Sequence, residues 1–312
     1  MTSMPLPSLH TKRYKNITLA DIHPNEIIIS AADSAENRDR LKLWEDLQAS
    51  DPKRIISIKV LDKESITVTY DGVEAIVSLR DEDAIERIFV SKEILIDVTG
   101  LAHNIWAPLL KSAYARKIRT RILYAEPESY TPHPSPASSA VFDLSVTLEG
   151  LAPLPGFVQL SGPDDEDRCL FIAMLGFEGN RPEHLAAQLD PTPKVIPVVG
   201  VPGFQLEYPA FTVGCNRMFL DEYQAHSEMR YARASCPFEA FEALTKIHRD
   251  YPDHYIYLAL VGTKPHAIGS ILFAITHAET TEIMFDYPVK KSGRTSGIGI
   301  VHVYDFEDFH AY

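Results

Sequence analysis

Residues 94–103 read ILIDVTGLAH, and residues 257–266 read YLALVGTKPH. Each stretch opens with an apolar run of the kind a strand shows when both its faces are covered. Each then passes through a threonine and a glycine and reaches a histidine at the start of an apolar, helix-like segment. A buried strand, a tight turn and a helix start form the unit from which parallel α/β sheets are built.

The neighbouring sequence repeats in the same order. A first strand runs into Glu36-Asn37-Arg38 in one half and into Gly179-Asn180-Arg181 in the other, and the two arginines are 143 residues apart. Second strands begin at Arg54 and Lys194, 140 residues apart. The histidines of the opening stretches, His103 and His266, are 163 apart. The last strands end in Tyr124-Ala125-Glu126-Pro127 and Phe285-Asp286-Tyr287-Pro288, their prolines 161 apart. Four matches in one order predict an internal duplication: two tandem Rossmann-like halves with mostly parallel sheets. The growth in spacing places an insertion at 201–235. In the first half, SITVTY and VEAIVSL flank Asp71-Gly72, which predicts a β-hairpin insertion. Helices are expected at 38–48, 102–117, 182–189, 237–250 and 266–276, from apolar positions at helical spacing. Pro197 sits badly in the central strand expected at 194–199.

The segment 130–139, YTPHPSPASS, carries three prolines, excludes a helix or a central strand, and reads as a linker or extended arm. The expected organisation is therefore 1–130, half one; 131–140, linker; 141–312, half two. With 312 residues and 45% hydrophobic content the chain can bury a core for two such domains. No apolar run approaches the ~20 residues of a membrane span, and no apolar stretch follows Lys12 and Arg13 as in a signal peptide. Cys169, Cys215 and Cys236 lack the spacing of a zinc site or a disulfide framework, which points to a reducing cytoplasm. A net charge of −13 argues against duplex nucleic acid as a partner.

In open α/β sheets, ligands lie outside the carboxyl ends of the strands, where all the repeated loops fall. Asn37, Arg38, Asn180 and Arg181 offer amide and guanidinium donors there; the alternative is an asparagine cap followed by a solvated arginine. The turns at Thr99-Gly100 and Gly262-Thr263 precede helices, whose free N–H groups suit an anion. His103, His266 and Lys264 stand at those helix starts, and Arg294 belongs to a basic loop, KKSGR, after the last strand. Asp97, Glu126 and His266 are the acid–base candidates if the protein is an enzyme; a structural hydrogen bond is the alternative for each. GxGxxG, GxxxxGK[ST], GxSxG and HExxH are all absent. His302 and His310 with Asp305 and Asp308 match no familiar ligand spacing, so neither a metal nor a cofactor is expected.

On residues 94–103 and 257–266 and the repeat that carries them, the layout resembles the CARF and SAVED ligand-sensing proteins of bacterial antiviral systems. That resemblance implies two Rossmann-like units recognising a cyclic oligonucleotide or similar nucleotide-like anion, as a stand-alone sensor or a subunit of a larger defence assembly. The leading expectation is a sensor that binds a nucleotide-like molecule in a cleft between the halves through Arg38, Thr99, Arg181, Thr263, Lys264 and Arg294. The other readings are a hydrolase or transferase acting on a nucleotide or related metabolite, and a scaffold without ligand. In the last, the C-terminal segment with Phe306, Phe309, His310 and Tyr312 docks a partner or a second copy.

Overall fold

The computed structural model describes residues 10–32, 38, 41–159, 162–163, 165 and 168–307. Asn37, Asp308, Phe309, His310 and Tyr312 lie outside the described residues. The chain forms two compact units, Met1–Ser129 with Thr295–Tyr312, and Tyr130–Arg294.

The first unit holds β1 (Thr11–Tyr14), β2 (Ile27–Ala31), α1 (Lys42–Ser50), β3 (Ile55–Val60), β4 (Ser65–Tyr70), β5 (Val73–Ser78), α2 (Glu82–Glu86), β6 (Glu93–Asp97), α3 (His103–Ala115) and β7 (Arg119–Tyr130). Its eight-stranded sheet has the order β1-β17-β7-β6-β2-β3-β4-β5, where β17 is Thr295–Asp305. Strands β7, β6, β2 and β3 form a parallel centre. Their apolar runs are buried on both faces: Ile28, Ile29, Leu95, Ile96, Ile122 and Leu123 have no exposed surface. At the edge, Asp71 and Gly72 take positive φ angles of 48° and 78°, so the antiparallel β4–β5 hairpin closes through the expected Asp-Gly turn.

The second unit contains β8 (Pro132–Ala137), β9 (Ala140–Phe142), β10 (Ser145–Leu148), β11 (Cys169–Met174), α4 (Asn180–Ala186), β12 (Lys194–Gly200), α5 (Tyr208–Cys215), α6 (Arg217–Glu222), β13 (Arg230–Ala232), α7 (Pro237–Asp250), β14 (Tyr255–Leu260), α8 (Lys264–Thr276), β15 (Thr281–Met284) and β16 (Pro288–Lys290). Its main sheet, β13-β12-β11-β14-β15, is parallel throughout. In order of appearance these strands run 3-2-1-4-5, the Rossmann arrangement, and the strand order reverses at β11. The first unit has the same reversal at β2. Helix α7 starts with Pro237 behind Cys236, whose sulphur accepts from Glu239 N, and buries Phe238, Phe241, Leu244 and Ile247. A Cβ on Gly269 of α8 would lie 2.2 Å from Pro237 O, so the missing side chain lets α7 and α8 touch.

The structure departs from the sequence reading in three places. Of the two readings of residues 130–139, the extended arm rather than the linker is found: they supply β8, which pairs with β9 in a two-stranded sheet. Prolines are tolerated there because an edge can leave donors missing. The C-terminal strand β17 joins the first unit, paired with β1, rather than ending the second half. Pro197 fits inside β12 because Leu175 N donates to Val198 O on the β11 side. One residue earlier, Pro197 therefore turns its missing donor towards β13, whose ladder starts only opposite Val198.

Candidate functional site

The two repeated arginines do the same job in each unit. Arg38 NH1 donates to Ala125 O at 2.5 Å, and its guanidinium carbon stands 5.9 Å from the ring centre of Tyr124. Arg181 donates through Nε and NH2 to both oxygens of Asp286, at 2.8 and 2.6 Å, and through NH1 to Glu178 at 3.1 Å. Ala125 and Asp286 occupy equivalent places, two residues before the matched prolines. Each arginine thus ties the segment that follows the first strand to the last strand, at Ala125 within β7 and at Asp286 just past β15, across the carboxyl edge of β6 or β14. Both side chains are buried, at 4% and 6% exposure, so the recurrence marks an internal brace rather than two donors facing solvent. In the second unit, Asp286 holds the guanidinium charged despite burial, raising its pKa further.

The glycines have local reasons as well. A Cβ on Gly176 would lie 2.3 Å from Val261 O, and one on Gly262 would lie 2.9 Å from both Leu175 O and Met174 O. The turns after β11 and β14 pack on each other, so these glycines serve backbone-to-backbone closure. Gly179 likewise admits Cys215 O, 2.0 Å from where its Cβ would be.

The other expected residues are dispersed. Thr99 Oγ1 accepts from Ala125 N at 3.0 Å and Asp97 accepts from Thr99 N and Trp44 Nε1, so both are buried connectors between β6, β7 and α1. Gly100 is half-buried beside them. His103 is buried, its ring 5.4 Å from that of Trp106. Thr263 caps α8 by accepting from His266 N, and donates to Ala234 O. Lys264 is buried. His266 is fully buried, with Nε2 donating to Arg233 O at 3.1 Å. Burial drives its pKa down to about 4, so the ring is neutral at pH 7. Glu126 lies 2.8 Å from His302 Nε2. Arg294 is half-buried, and burial lowers its pKa to about 10, leaving it a cation. Asp97 and Glu126 sit in the first unit and His266 in the second. Among the described residues no group of His, Cys, Asp and Glu is arranged to hold a metal ion.

What the structure does assemble is a cavity of about 400 Å³ inside the second unit. It lies beside the carboxyl end of β11, the position at which open α/β sheets receive ligands. Phe177, Glu178, Gly179 and Asn180 line it from the turn after β11 and the start of α4. His133, Ser139, Ala140 and Phe142 to Ser145 line it from the proline-rich arm and its continuation. Cys215, Met218 and Phe219 close it from α5 and α6, inside the expected insertion. Phe142 and Phe177 meet at 4.7 Å between ring centres; Tyr208 stands 5.2 Å from Phe177, and Tyr130 is 5.4 Å from both phenylalanines. This packed aromatic wall fixes one side of the cavity. Asn180 is the expected ligand residue that reaches it, and it is exposed.

Among the described residues the lining carries Asp143, Glu178 and Glu183 with His133, and no lysine or arginine. Lys291 pairs with Asp143, and Arg181 with Glu178. Burial pushes the Cys215 thiol up, so it is protonated at neutral pH and a poor nucleophile. The aromatic wall escaped sequence reading because its members, Tyr130, Phe142, Phe177 and Tyr208, are dispersed over a long stretch with no shared period. Among the described residues no helix is long and apolar enough to cross a membrane. A scan against protein-family models gives no match, and neither does a search of the curated proteins.

Proposed function

We propose that the protein is a binding protein, a sensor rather than a catalyst, that takes a small ring-bearing molecule into the second unit's cavity. The observation that carries this reading is the aromatic wall of Phe142 and Phe177 on an open cavity beside the carboxyl end of β11. A planar ring gains contact area and stacking against such a wall, while Asn180, Ser139 and Ser145 offer hydrogen bonds around its edge. A nucleoside-like ligand suits the cavity better than a nucleotide held by its phosphates, because the lining has no lysine or arginine among the described residues. Binding without turnover is favoured because none of Asp97, Glu126 and His266 lines the cavity. A stand-alone sensor or a subunit of a larger assembly is the setting that the resemblance to CARF and SAVED proteins implies.

The test is a thermal-shift screen with nucleosides, nucleotides, cyclic oligonucleotides and free aromatic compounds, followed by chromatography of each hit. A ligand at 100 times its dissociation constant stabilises the fold by about 2.7 kcal/mol. A shift with the ligand recovered unchanged is expected. A converted ligand would make the protein an enzyme, and no shift with any ring compound would end the reading.

A further inference from the structure

We propose that the cavity selects organic cations: its ligand is a ring-bearing amine, with the ring on the aromatic wall and the ammonium group facing the carboxylates. The inference rests on the reading of the cavity as a ligand site and adds the ligand's charge. Two features of different kind agree on it. Aromatic faces carry negative quadrupole charge and attract cations within about 6 Å of the ring centre. Phe142, Phe177 and Phe219 all contribute to the lining. Among the described residues the lining holds three carboxylates, Asp143, Glu178 and Glu183, against a single basic side chain, His133, and no lysine or arginine.

Two of those carboxylates already have cations behind them, Lys291 on Asp143 and Arg181 on Glu178. Arg181 is shared with Asp286, so the carboxylates around it still outnumber it. Glu183, half-buried on α4, has no cationic partner among the described residues. Its charge is left for a ligand to meet. An ammonium group supplies donors that carboxylates accept in short charge-assisted bonds. A phosphate or carboxylate at the same place meets like charge. The whole-chain charge of −13 acts in the same direction, drawing cations and repelling anions at a distance.

The test uses the full chain and matched probes: tryptamine, indole and indole-3-acetate, then adenosine and adenosine monophosphate, by calorimetric titration at fixed ionic strength. Tryptamine is expected to bind about tenfold tighter than indole, and indole-3-acetate weaker than either. Glu183→Gln should remove about tenfold of the tryptamine affinity and leave indole unchanged. Met218→Trp, at the exposed rim, should weaken every probe, which locates the binding in this cavity. Ring compounds that bind without charge preference, or the anionic partner binding more tightly, would overturn the cation inference and leave the ring-binding reading standing. If no probe of any charge binds, or if binding ignores Met218→Trp, both fail. Circular dichroism of each variant separates lost binding from lost fold.

Discussion

Arg181→Met is the most informative single change in the fold. It removes the partner of both oxygens of Asp286, a side chain with no exposed surface, and also frees Glu178. A buried carboxylate stripped of its cation costs about 3–5 kcal/mol, because the charge stays desolvated without compensation. For a domain of this size each kcal/mol lowers the melting temperature by roughly 2–4 °C, so a fall of roughly 6–20 °C is expected. Arg38→Met removes the donor to the Ala125 carbonyl and the cation beside Tyr124, and the loss of that buried donor should cost about 1–3 kcal/mol. Replacing the pair together, as Arg181→Met with Asp286→Leu, should recover much of the loss, since apolar packing can substitute for a buried ion pair. Urea denaturation of the wild type, the three single variants and the double variant gives the coupling energy directly. The brace argument fails if Arg181→Met costs under about 1 kcal/mol, or if the double variant is no more stable than that single one. A stable Arg181→Met protein that has lost ring-compound binding would show instead that the arginine serves the ligand.

Three further outcomes follow from the same structure. His266 has a folded-state pKa of about 4, against an ordinary 6.5, so below pH 6.5 the unfolded chain binds a proton that the folded chain refuses. Stability should therefore fall by about 3 kcal/mol in total as pH drops from 6.5 to 4, a slope that His266→Asn would reduce in pH-dependent denaturation curves. Gly176→Ala would press a methyl group into the Val261 carbonyl and should destabilise by roughly 1–3 kcal/mol or more, read as a lowered urea midpoint. Cys215 and Cys236, both buried with thiols pushed up by burial, should react with iodoacetamide far more slowly in native protein than in urea.

Where the physics is local, the sequence was readable. The apolar runs of β2, β6, β11 and β14 can only be strands covered on both faces, and Asp71-Gly72 dictates its own hairpin. The repeat spacing also located the two arginine loops and placed the insertion that supplies α5, α6 and β13. Pairing across long separations was not readable. Residues 295–305 form β17, but nothing in their own sequence says that β1 and β7 are its neighbours. The prolines of residues 130–139 exclude a central strand and leave an extended arm readable, but not its pairing as an edge hairpin with β9. For the candidate site, recurrence at Arg38 and Arg181 was a true signal with a structural cause, since a repeated fold repeats its braces. Of the expected contacts, Asn180 lines the cavity; the phenylalanines and Glu183 that define it come together only through the tertiary fold.

A crystallographic screen of small aromatic amines, neutral rings and aromatic acids tests the central claim most directly. The account predicts density for ring compounds, amines foremost, against Phe142 and Phe177 with their polar groups towards Asn180 and Glu183. Density collected elsewhere, for instance around Arg38 and Tyr124 in the first unit, with the cavity beside β11 left empty at the same concentrations, would contradict it.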